Sequence, residues 1–234
     1  MSRSLRSSLF LAFLTLPLLA AKGNACQAED SSNVNQSRIY TGYWLAFDAN
    51  ANTTSARAQF RLSHSLGTTL ELKDPAKVTF GGKAMAYNPL LQWHEVQQTG
   101  ALDGGSFVYV DTEGTSFSNE AKVTLVTELP AMLPEKLKRS EGFTLSWVGA
   151  PLTKGEDMEL VVRGADSADF IRVDQFDTGA TSITVPANQL ARVGGTNAVL
   201  TLKRHTFVDD PFAPDAGGQI HLEYDAKSKT VPLE

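Results

Sequence analysis

Cys26 is the residue whose surroundings point most directly to a chemical role. It is the only cysteine among 234 residues, so the chain cannot form a disulfide within itself. It follows an apolar run at residues 9–21 and a short polar segment at residues 22–25. A thiol at the junction where a leader is cleaved can be acylated and kept as the new N-terminus. The position therefore predicts lipid attachment at Cys26.

The segment before Cys26 has the order of a secretory signal peptide. Arg3 and Arg6 stand before an apolar run of about 13 residues, which is too short for a bilayer core that needs about 20. We therefore expect residues 1–25 to be a signal peptide and the mature chain to lie outside the cytoplasm. Ordinary signal peptidase could instead cleave after Ala25 or after Ala28, and the second cut would remove Cys26.

The residues after this junction resemble a known class of exported protein. Cys26, Gln27, Ala28, Glu29 and Asp30 are similar to the start of bacterial lipoproteins whose tether opens with Q-A and two acids. The resemblance implies a lipoprotein displayed on the outer cell surface. The Ser- and Asn-containing stretch that follows predicts a flexible tether over residues 26–37. We therefore expect an outer-surface or membrane-anchored location, and a secreted or periplasmic location is the alternative.

The charge balance argues against a nucleic-acid partner. The chain has 21 basic and 26 acidic residues and a formal charge of −5. Arg3, Arg6 and Lys22 leave with the leader, so 18 basic residues then face 26 acidic ones and the formal charge becomes −8. Phosphate binding needs a clustered basic surface. We expect no nucleic acid among the partners.

One acidic loop offers oxygen ligands of the kind that divalent cations prefer. Asp209, Asp210 and Asp215 lie close together in sequence. Solvated loop acids are the commoner use of such residues, so cation binding there is the weaker alternative. We expect no metal ion and no other cofactor.

Three aromatic side chains are candidates for ligand contact. Phe212 stands between prolines in the same acidic loop, which in an immunoglobulin-type sandwich would lie at an end that presents binding loops. Trp93 and Trp44 have flat faces of the kind that stack on sugars. Because Tyr43 and Trp44 are neighbours on a predicted strand, they face opposite sides and one of them can be exposed. Burial in the core is the alternative for each aromatic ring.

The spacings of the common catalytic motifs are missing from the sequence. It contains no G-x-S-x-G elbow, no S-x-x-K dyad, no H-E-x-x-H and no G-x-x-x-x-G-K loop. We therefore expect that the protein is not an enzyme. The alternative is a secreted enzyme whose site assembles from distant residues such as His94, Asp111 and Glu113.

The chain from Arg38 onward has the pattern of short strands. Its apolar residues recur with a period of two, in runs separated by Gly, Asn, Asp and Pro, which predicts half-buried strands. A first set covers residues 58–62, 69–72, 78–80, 107–110 and 121–126, and a second covers residues 143–147, 158–162, 170–173, 181–185, 198–205 and 219–224. Each set has the size and strand count of an immunoglobulin-like or fibronectin-like sandwich.

We expect an all-β chain built from two tandem immunoglobulin-like or fibronectin-like β-sandwich domains. They are predicted at residues 38–128 and 142–234, with a linker at residues 129–141. In the second domain, Ile183 and Val185 lead through residues 186–190 to a long strand at Ala198. That order resembles the E-to-F crossover of fibronectin-like domains.

These features together predict a non-catalytic, extracytoplasmic, lipid-anchored surface protein that acts as a binding or structural module. Its partners would be the membrane, through the lipid, and a protein or glycan ligand. Because of its tryptophans, a carbohydrate-binding accessory protein of a surface glycan-capture system is the alternative.

Overall fold

The protein, in a computed structural model, is described at residues 28–102, 104–123, 127–165 and 168–234, most of which form β-strands. The strands of the first half are β1 (Glu29–Asp30), β2 (Ile39–Asp48), β3 (Thr53–Leu62), β4 (Thr69–Glu71), β5 (Lys77–Phe80), β6 (Lys83–Ala84), β7 (Ala86–Asn88), β8 (Trp93–Thr99), β9 (Gly105–Val110) and β10 (Ser116–Ala121). Those of the second half are β11 (Phe143–Ser146), β12 (Glu156–Gly164), β13 (Phe170–Gln175), β14 (Ser182–Val185), β15 (Asn197–Asp209), β16 (Gly218–Asp225) and β17 (Lys229–Pro232). The helical segments are the 3-10 turns Ser31–Asn33 and Gln36–Arg38 and the α-helix α1 (Ala187–Leu190). The predicted all-β class is confirmed.

Alternating burial explains why these segments are strands. In β3, buried residues from Thr54 to Phe60 alternate with half-buried polar neighbours, and the first eight residues of β15 repeat the pattern. Asn52 makes the turn between β2 and β3 with φ 51°, a left-handed conformation that Asn tolerates. β10 ends at Ala121, so residues 122 and 123 of the strand predicted at residues 121–126 are not in a strand, and residues 124–126 lie outside the described residues.

The strands form one large sheet and two small ones. The large sheet has 11 strands in the order β1-β4-β3-β2-β16-β15-β12-β13, with β8 paired to β3, β7 to β8, and β17 to β15. One small sheet has the order β10-β9-β5-β6, and the other consists of β11 and β14. Both halves of the chain therefore contribute strands to the large sheet.

Two hydrophobic cores hold the small sheets against the large one. In the first core, Tyr43 of β2 stacks on Phe107 of β9 with ring centroids 4.6 Å apart. The second core contains both Leu202 of β15 and Leu145 of β11. Ile220 belongs to the second half of the chain but packs in the first core. The molecule thus consists of two β-sandwiches that share one sheet.

The pairing of β2 with β16 joins the two sandwiches. These strands run parallel and pair over eight residues of each. Because side chains alternate along a strand, register partners lie on the same side of a sheet. Tyr43 and its partner Ile220 point inward, while Trp44 and its partner His221 point outward. The small sheets cover the inward side and leave the outward side bare.

The N-terminal segment corrects one expectation. The sequence predicts a flexible tether over residues 26–37, but residues 28–37 are packed. β1 pairs with β4, Ser31 is fully buried and Gln36 is 6% exposed. The side-chain amide of Gln36 donates to the carbonyl oxygens of Ser31 at 2.9 Å and Val34 at 2.8 Å. The polar composition suggested solvent exposure, yet these groups find partners within the protein. Residues 26 and 27 lie outside the described residues.

The segment predicted as a linker, residues 129–141, contributes to the second core. Leu129 and Leu137 are only 3% and 2% exposed. The backbone N–H of Leu137 donates to the carbonyl of Pro232 at 2.8 Å. The segment therefore packs as part of the second sandwich rather than spacing the two sandwiches apart.

A buried ion pair lies on the inward side of the large sheet. Arg204 Nη2 donates to Glu156 Oε2 at 2.6 Å, and the guanidinium also donates to the carbonyls of Ala150 at 2.7 Å and Pro151 at 2.9 Å. Burial raises the pKa of Glu156, but hydrogen bonds from Arg204 and Thr153 outweigh it and hold that pKa below its usual value. Each charge is thus compensated inside the protein.

Arg204→Met should therefore destabilise the fold by about 3–5 kcal/mol, because it leaves the Glu156 carboxylate buried without its cation. Lys138→Met is the matched control: Lys138 and its partner Glu141 are 47% and 63% exposed, and loss of a surface pair costs about 0–1 kcal/mol. Chemical denaturation of both variants measures the difference, and equal losses would contradict the assignment.

Folding lowers the Glu156 pKa, so the ion pair of Glu156 with Arg204 stabilises the fold at pH values above the ordinary Glu pKa. The difference should shrink as the pH falls below it.

Candidate functional site

The outward side of the large sheet, called the open face below, carries three rows of side chains that cross the strands. In each row, neighbours are register partners, so their Cβ atoms lie about 4.5–5.5 Å apart. The rows are Arg57, Trp44, His221 and Phe207; Ser55, Ala46, Glu223, His205 and Asp157; and Asp48, Asp225, Lys203, Glu159 and Asp174. The open face is therefore aromatic at one edge and densely charged beside it.

Two cavities lie on the open face. The larger one, called the groove below, has a volume of about 470 Å³. The smaller one has a volume of about 150 Å³ and is lined by Tyr40, Phe207 and Gln219 among others. Trp44 and His221 line both cavities. These two side chains therefore stand at the boundary between the aromatic and the charged parts of the face.

Trp44 supplies an apolar surface to the groove. Its half-buried indole lies against Gly42, where an added Cβ would come within 2.9 Å of Trp44 Cη2. A glycine at this position lets the ring approach the backbone of its own strand. Tyr43, its neighbour, is fully buried in the first core. The expectation that Tyr43 and Trp44 face opposite sides is confirmed, with Trp44 outside.

Lys203 holds two carboxylates at the floor of the groove. Its Nζ lies 3.0 Å from Glu223 Oε1 and 2.7 Å from Asp225 Oδ2. Burial lowers the pKa of Lys203, but both carboxylates outweigh it and raise that pKa to about 12. Burial raises the pKa of Glu223, and attraction to Lys203 more than reverses this. Burial and the neighbouring Glu223 raise the pKa of Asp225. The groove thus presents a fixed cation between two acceptors.

Two histidines adjoin this charged cluster. His205 Nδ1 lies 3.1 Å from Asp157 Oδ1, and its Nε2 lies 4.0 Å from Glu223 Oε2. The His221 ring stacks on Phe207 with centroids 4.3 Å apart and planes 13° apart. Burial, followed by the nearby His205, lowers the pKa of His221 to about 4. At neutral pH the His221 imidazole is therefore uncharged.

The side chains of His205, His221 and Glu223 converge. Each offers one ligand atom, and these atoms lie within 4.8 Å of one another. Among the described residues, no other group of three or more His, Cys, Asp or Glu side chains is arranged to hold a metal ion. The open face therefore holds both a cavity and a set of metal-ligand residue types.

Trp93, a predicted contact residue, lies on the open face but contributes indirectly. The guanidinium carbon of Arg57 lies 4.8 Å above its ring, and its Nε1 donates to Glu95 Oε2 at 3.1 Å. Trp93 lines neither of the two cavities described above, whereas Arg57 lines the groove. Trp93 thus supports the groove through Arg57.

The loop between β15 and β16 does not assemble the cation site considered for it. Asp210 is 8% exposed and accepts from Thr41 Oγ1 at 2.6 Å and from the backbone N–H of Phe212 at 3.0 Å. Asp209 and Asp215 are exposed, and the three carboxylates do not form a ligand group in the described chain. The reason is that Asp210 turns inward to close the loop. Phe212 is 62% exposed, so it does not fold back into the core.

Of the residues named for a distant catalytic set, His94 and Asp111 have structural roles, whereas the Glu113 side chain is exposed. His94 is 6% exposed, and its ring centroid lies 5.8 Å from that of Phe60 and 5.0 Å from that of Tyr87. Asp111 Oδ1 accepts from the backbone N–H of Glu113 at 2.9 Å and so fixes its own turn. The structure uses His94 for packing and Asp111 for turn formation.

Cys26, the predicted lipid-attachment residue, lies outside the described residues, as does the predicted signal peptide. Within the described ranges, no helix is long and apolar enough to cross a membrane.

The sequence reasoning missed His205, His221 and Glu223 as a set. Each occupies an outward position of a strand whose alternate positions are buried, as at Leu202, Arg204 and Ile220. Histidines at such positions on two successive strands were the available signal. No local sequence pattern predicts the strand register that places these side chains side by side.

No protein-family model matches the chain, and no curated protein matches it. Among solved structures, the chain is similar to the FN1–FN3 domains of chicken CNTN1, with 8% sequence identity and a TM-score of 0.28. The similarity covers 82% of this chain and 65% of that one, so this chain spans less than two thirds of the structure that it matches. A TM-score this low does not establish a shared fold.

Gly42→Ala tests the position of the Trp44 indole. The new Cβ would overlap the ring, so we expect the indole to swing out at a cost near the low end of about 1–3 kcal/mol. Acrylamide quenching of tryptophan fluorescence in a Trp93→Phe background should increase. Ser65 lines the neighbouring cavity, and Ser65→Ala serves as the control. Unchanged quenching in the Gly42 variant would show that the ring does not rest on this glycine.

Proposed function

We propose that this chain is an exported, non-catalytic binding module that takes its ligand in the groove on the open face. The groove itself carries the proposal. Its volume of about 470 Å³ falls within the range of about 300–1,000 Å³ that is usual for small-ligand sites. It lies on the side of the large sheet that the small sheets leave bare. The two cores hold that sheet in place from behind.

The lining of the groove suits a polar ligand that has one flat apolar side. Trp44 provides the apolar surface, Lys203 and Arg57 provide donors, and Glu223 and Gln97 provide acceptors. A few polar groups that converge on an apolar surface fix the orientation of a ligand. Lys203 is already held by its two carboxylates, so little side-chain entropy remains to be lost on binding.

A glycan is the second candidate, and Trp44 favours it. A sugar ring presents C–H groups on one face and hydroxyls around its edge. The indole matches the face, and the charged and amide groups match the hydroxyls. This ligand class would make the protein a carbohydrate-binding accessory in surface glycan capture.

The structural roles of two candidate catalytic residues support the proposal that the protein is non-catalytic. His94 packs against aromatic rings and Asp111 fixes a turn. The sequence contains none of the common hydrolase or phosphate-binding motifs. These two observations favour binding over conversion of the ligand.

We further propose that Cys26 carries the lipid anchor. β1 begins at Glu29 and already pairs with β4, so the first strand begins three positions after Cys26, with only Gln27 and Ala28 between them. An extended chain of that length spans at most about 10–11 Å. The anchor would hold the sandwiches close to the membrane instead of on a long tether.

The glycan candidate predicts binding that depends on Trp44. A glycan array probed with the full chain should give defined hits, and Trp44→Ala should weaken them about 10-fold or more, as loss of a buried aromatic anchor does. Phe212→Ala is the control, because Phe212 is exposed in a loop outside the groove lining. An array without hits would exclude glycans, and hits that survive Trp44→Ala would place the site elsewhere.

The anchor predicts a specific mature N-terminus. Mass spectrometry of the protein purified from cells should find acylated Cys26 as the first residue. Cys26→Ser should release the protein from the membrane fraction. A mature chain that begins at Glu29 and carries no lipid would exclude the anchor.

A further inference from the structure

The side chains of His205, His221 and Glu223 have the composition and position of an open metal site. Two imidazoles and one carboxylate are ligands that first-row divalent metals accept. Their ligand atoms lie within 4.8 Å of one another. His205 and His221 stand on the paired strands β15 and β16, and His205 is the register partner of Glu223. The strand pairing therefore fixes the three backbone positions before any ion binds.

The two imidazoles each have an unused nitrogen. The Nε2 atoms of His205 and His221 are buried and have no hydrogen-bond partner in the described part of the chain. Buried polar atoms without a partner are rare and carry a desolvation cost. A metal ion that accepted both lone pairs would remove that cost. This observation is independent of the proximity of the three side chains.

Asp157 holds His205 in the orientation that a metal ligand needs. The distance of 3.1 Å between His205 Nδ1 and Asp157 Oδ1 fits a hydrogen bond from an Nδ1–H group. That tautomer leaves Nε2 with its lone pair directed toward Glu223. Metal-ligating histidines commonly donate their other ring N–H to a carboxylate in this way.

His221 and Glu223 are also positioned to bind a metal ion. Stacking on Phe207 fixes the plane of the His221 ring. Glu223 divides its oxygens, since Oε1 binds Lys203 at 3.0 Å while Oε2 faces His205 Nε2 at 4.0 Å. Coordination through Oε2 would therefore leave the ion pair between Oε1 and Lys203 in place.

We propose that His205 Nε2, His221 Nε2 and Glu223 Oε2 bind one first-row divalent transition-metal ion, with Asp157 orienting His205. Zinc bonds of about 2.0–2.1 Å in a tetrahedral arrangement place ligand atoms about 3.3 Å apart, so the side chains close by about 1.5 Å on binding. Small rotations of three side chains supply that movement. Three protein ligands leave one coordination position open, and His221 and Glu223 both line the groove. The metal ion can bind whether or not the groove holds its proposed ligand.

Zinc binding by the full chain tests the proposal directly. The protein should carry no histidine tag and should be treated with chelator before titration with Zn²⁺. Calorimetry should give one Zn²⁺ per chain, and Zn²⁺ should raise the melting temperature. The same protein loaded with Cu²⁺ should show coupling to two nitrogen nuclei in its electron paramagnetic resonance spectrum. Absence of stoichiometric binding would overturn the proposal.

Matched variants identify the ligands. His221→Gln, His205→Gln and Glu223→Gln should each weaken Zn²⁺ binding more than Asp157→Asn, whose expected effect is about 10–100-fold for a group that orients a ligand. His64→Gln removes an exposed loop histidine and should leave affinity unchanged. Circular dichroism checks that each variant folds. If a variant does not fold, the Cu²⁺ spectrum of the unmodified chain decides: coupling to fewer than two nitrogens would refute this ligand set.

Discussion

The parallel pairing of β2 with β16 is the interaction on which the rest of the architecture depends, because it brings strands from the two halves of the chain into one sheet. The pairing is fixed at both ends. Thr41 Oγ1 donates to Asp210 Oδ2 at 2.6 Å, and the backbone N–H of Ala49 donates to the carbonyl of Asp225 at 2.9 Å. A slip of one residue would turn the buried Ile220 outward. Burial of that side chain in the first core therefore determines which residues of β16 reach the open face.

The chemistry of the open face follows from this register. It places Trp44 beside His221. The antiparallel pairing of β15 with β16 then places His205 next to Glu223. Half-buried charges such as Lys203 and its two carboxylates are an expensive way to stabilise a sheet, since well-packed apolar residues often serve equally well. Unpartnered imidazole nitrogens in the same cluster add to that cost. Perturbed titratable groups gathered beside a cavity are typical of functional sites.

The strands could be predicted from the sequence because they depend on a local pattern. The residues of β3 and β15 alternate with a period of two. The same alternation assigns Tyr43 to the core and Trp44 to solvent once one of them is known to be buried. The shared sheet could not be predicted, because β2 and β16 pair across most of the chain and no short motif encodes a parallel partner. The packing of residues 28–37 was hidden for another reason. Polar composition does not distinguish a solvated segment from one whose groups, like those of Gln36, are satisfied inside the protein.

His221 connects the two properties of the open face that are otherwise separate. Its ring lines both cavities, and its Nε2 belongs to the converging ligand set. An occupant of the groove that contacts this ring and a metal ion held by it cannot bind independently, because each changes the energy of the same side chain. Thermodynamic linkage then requires that the metal change the affinity of the occupant by the same factor as the occupant changes that of the metal. The sign depends on the occupant: a group that completes the open coordination position strengthens both, and one that displaces Glu223 from the cluster weakens both.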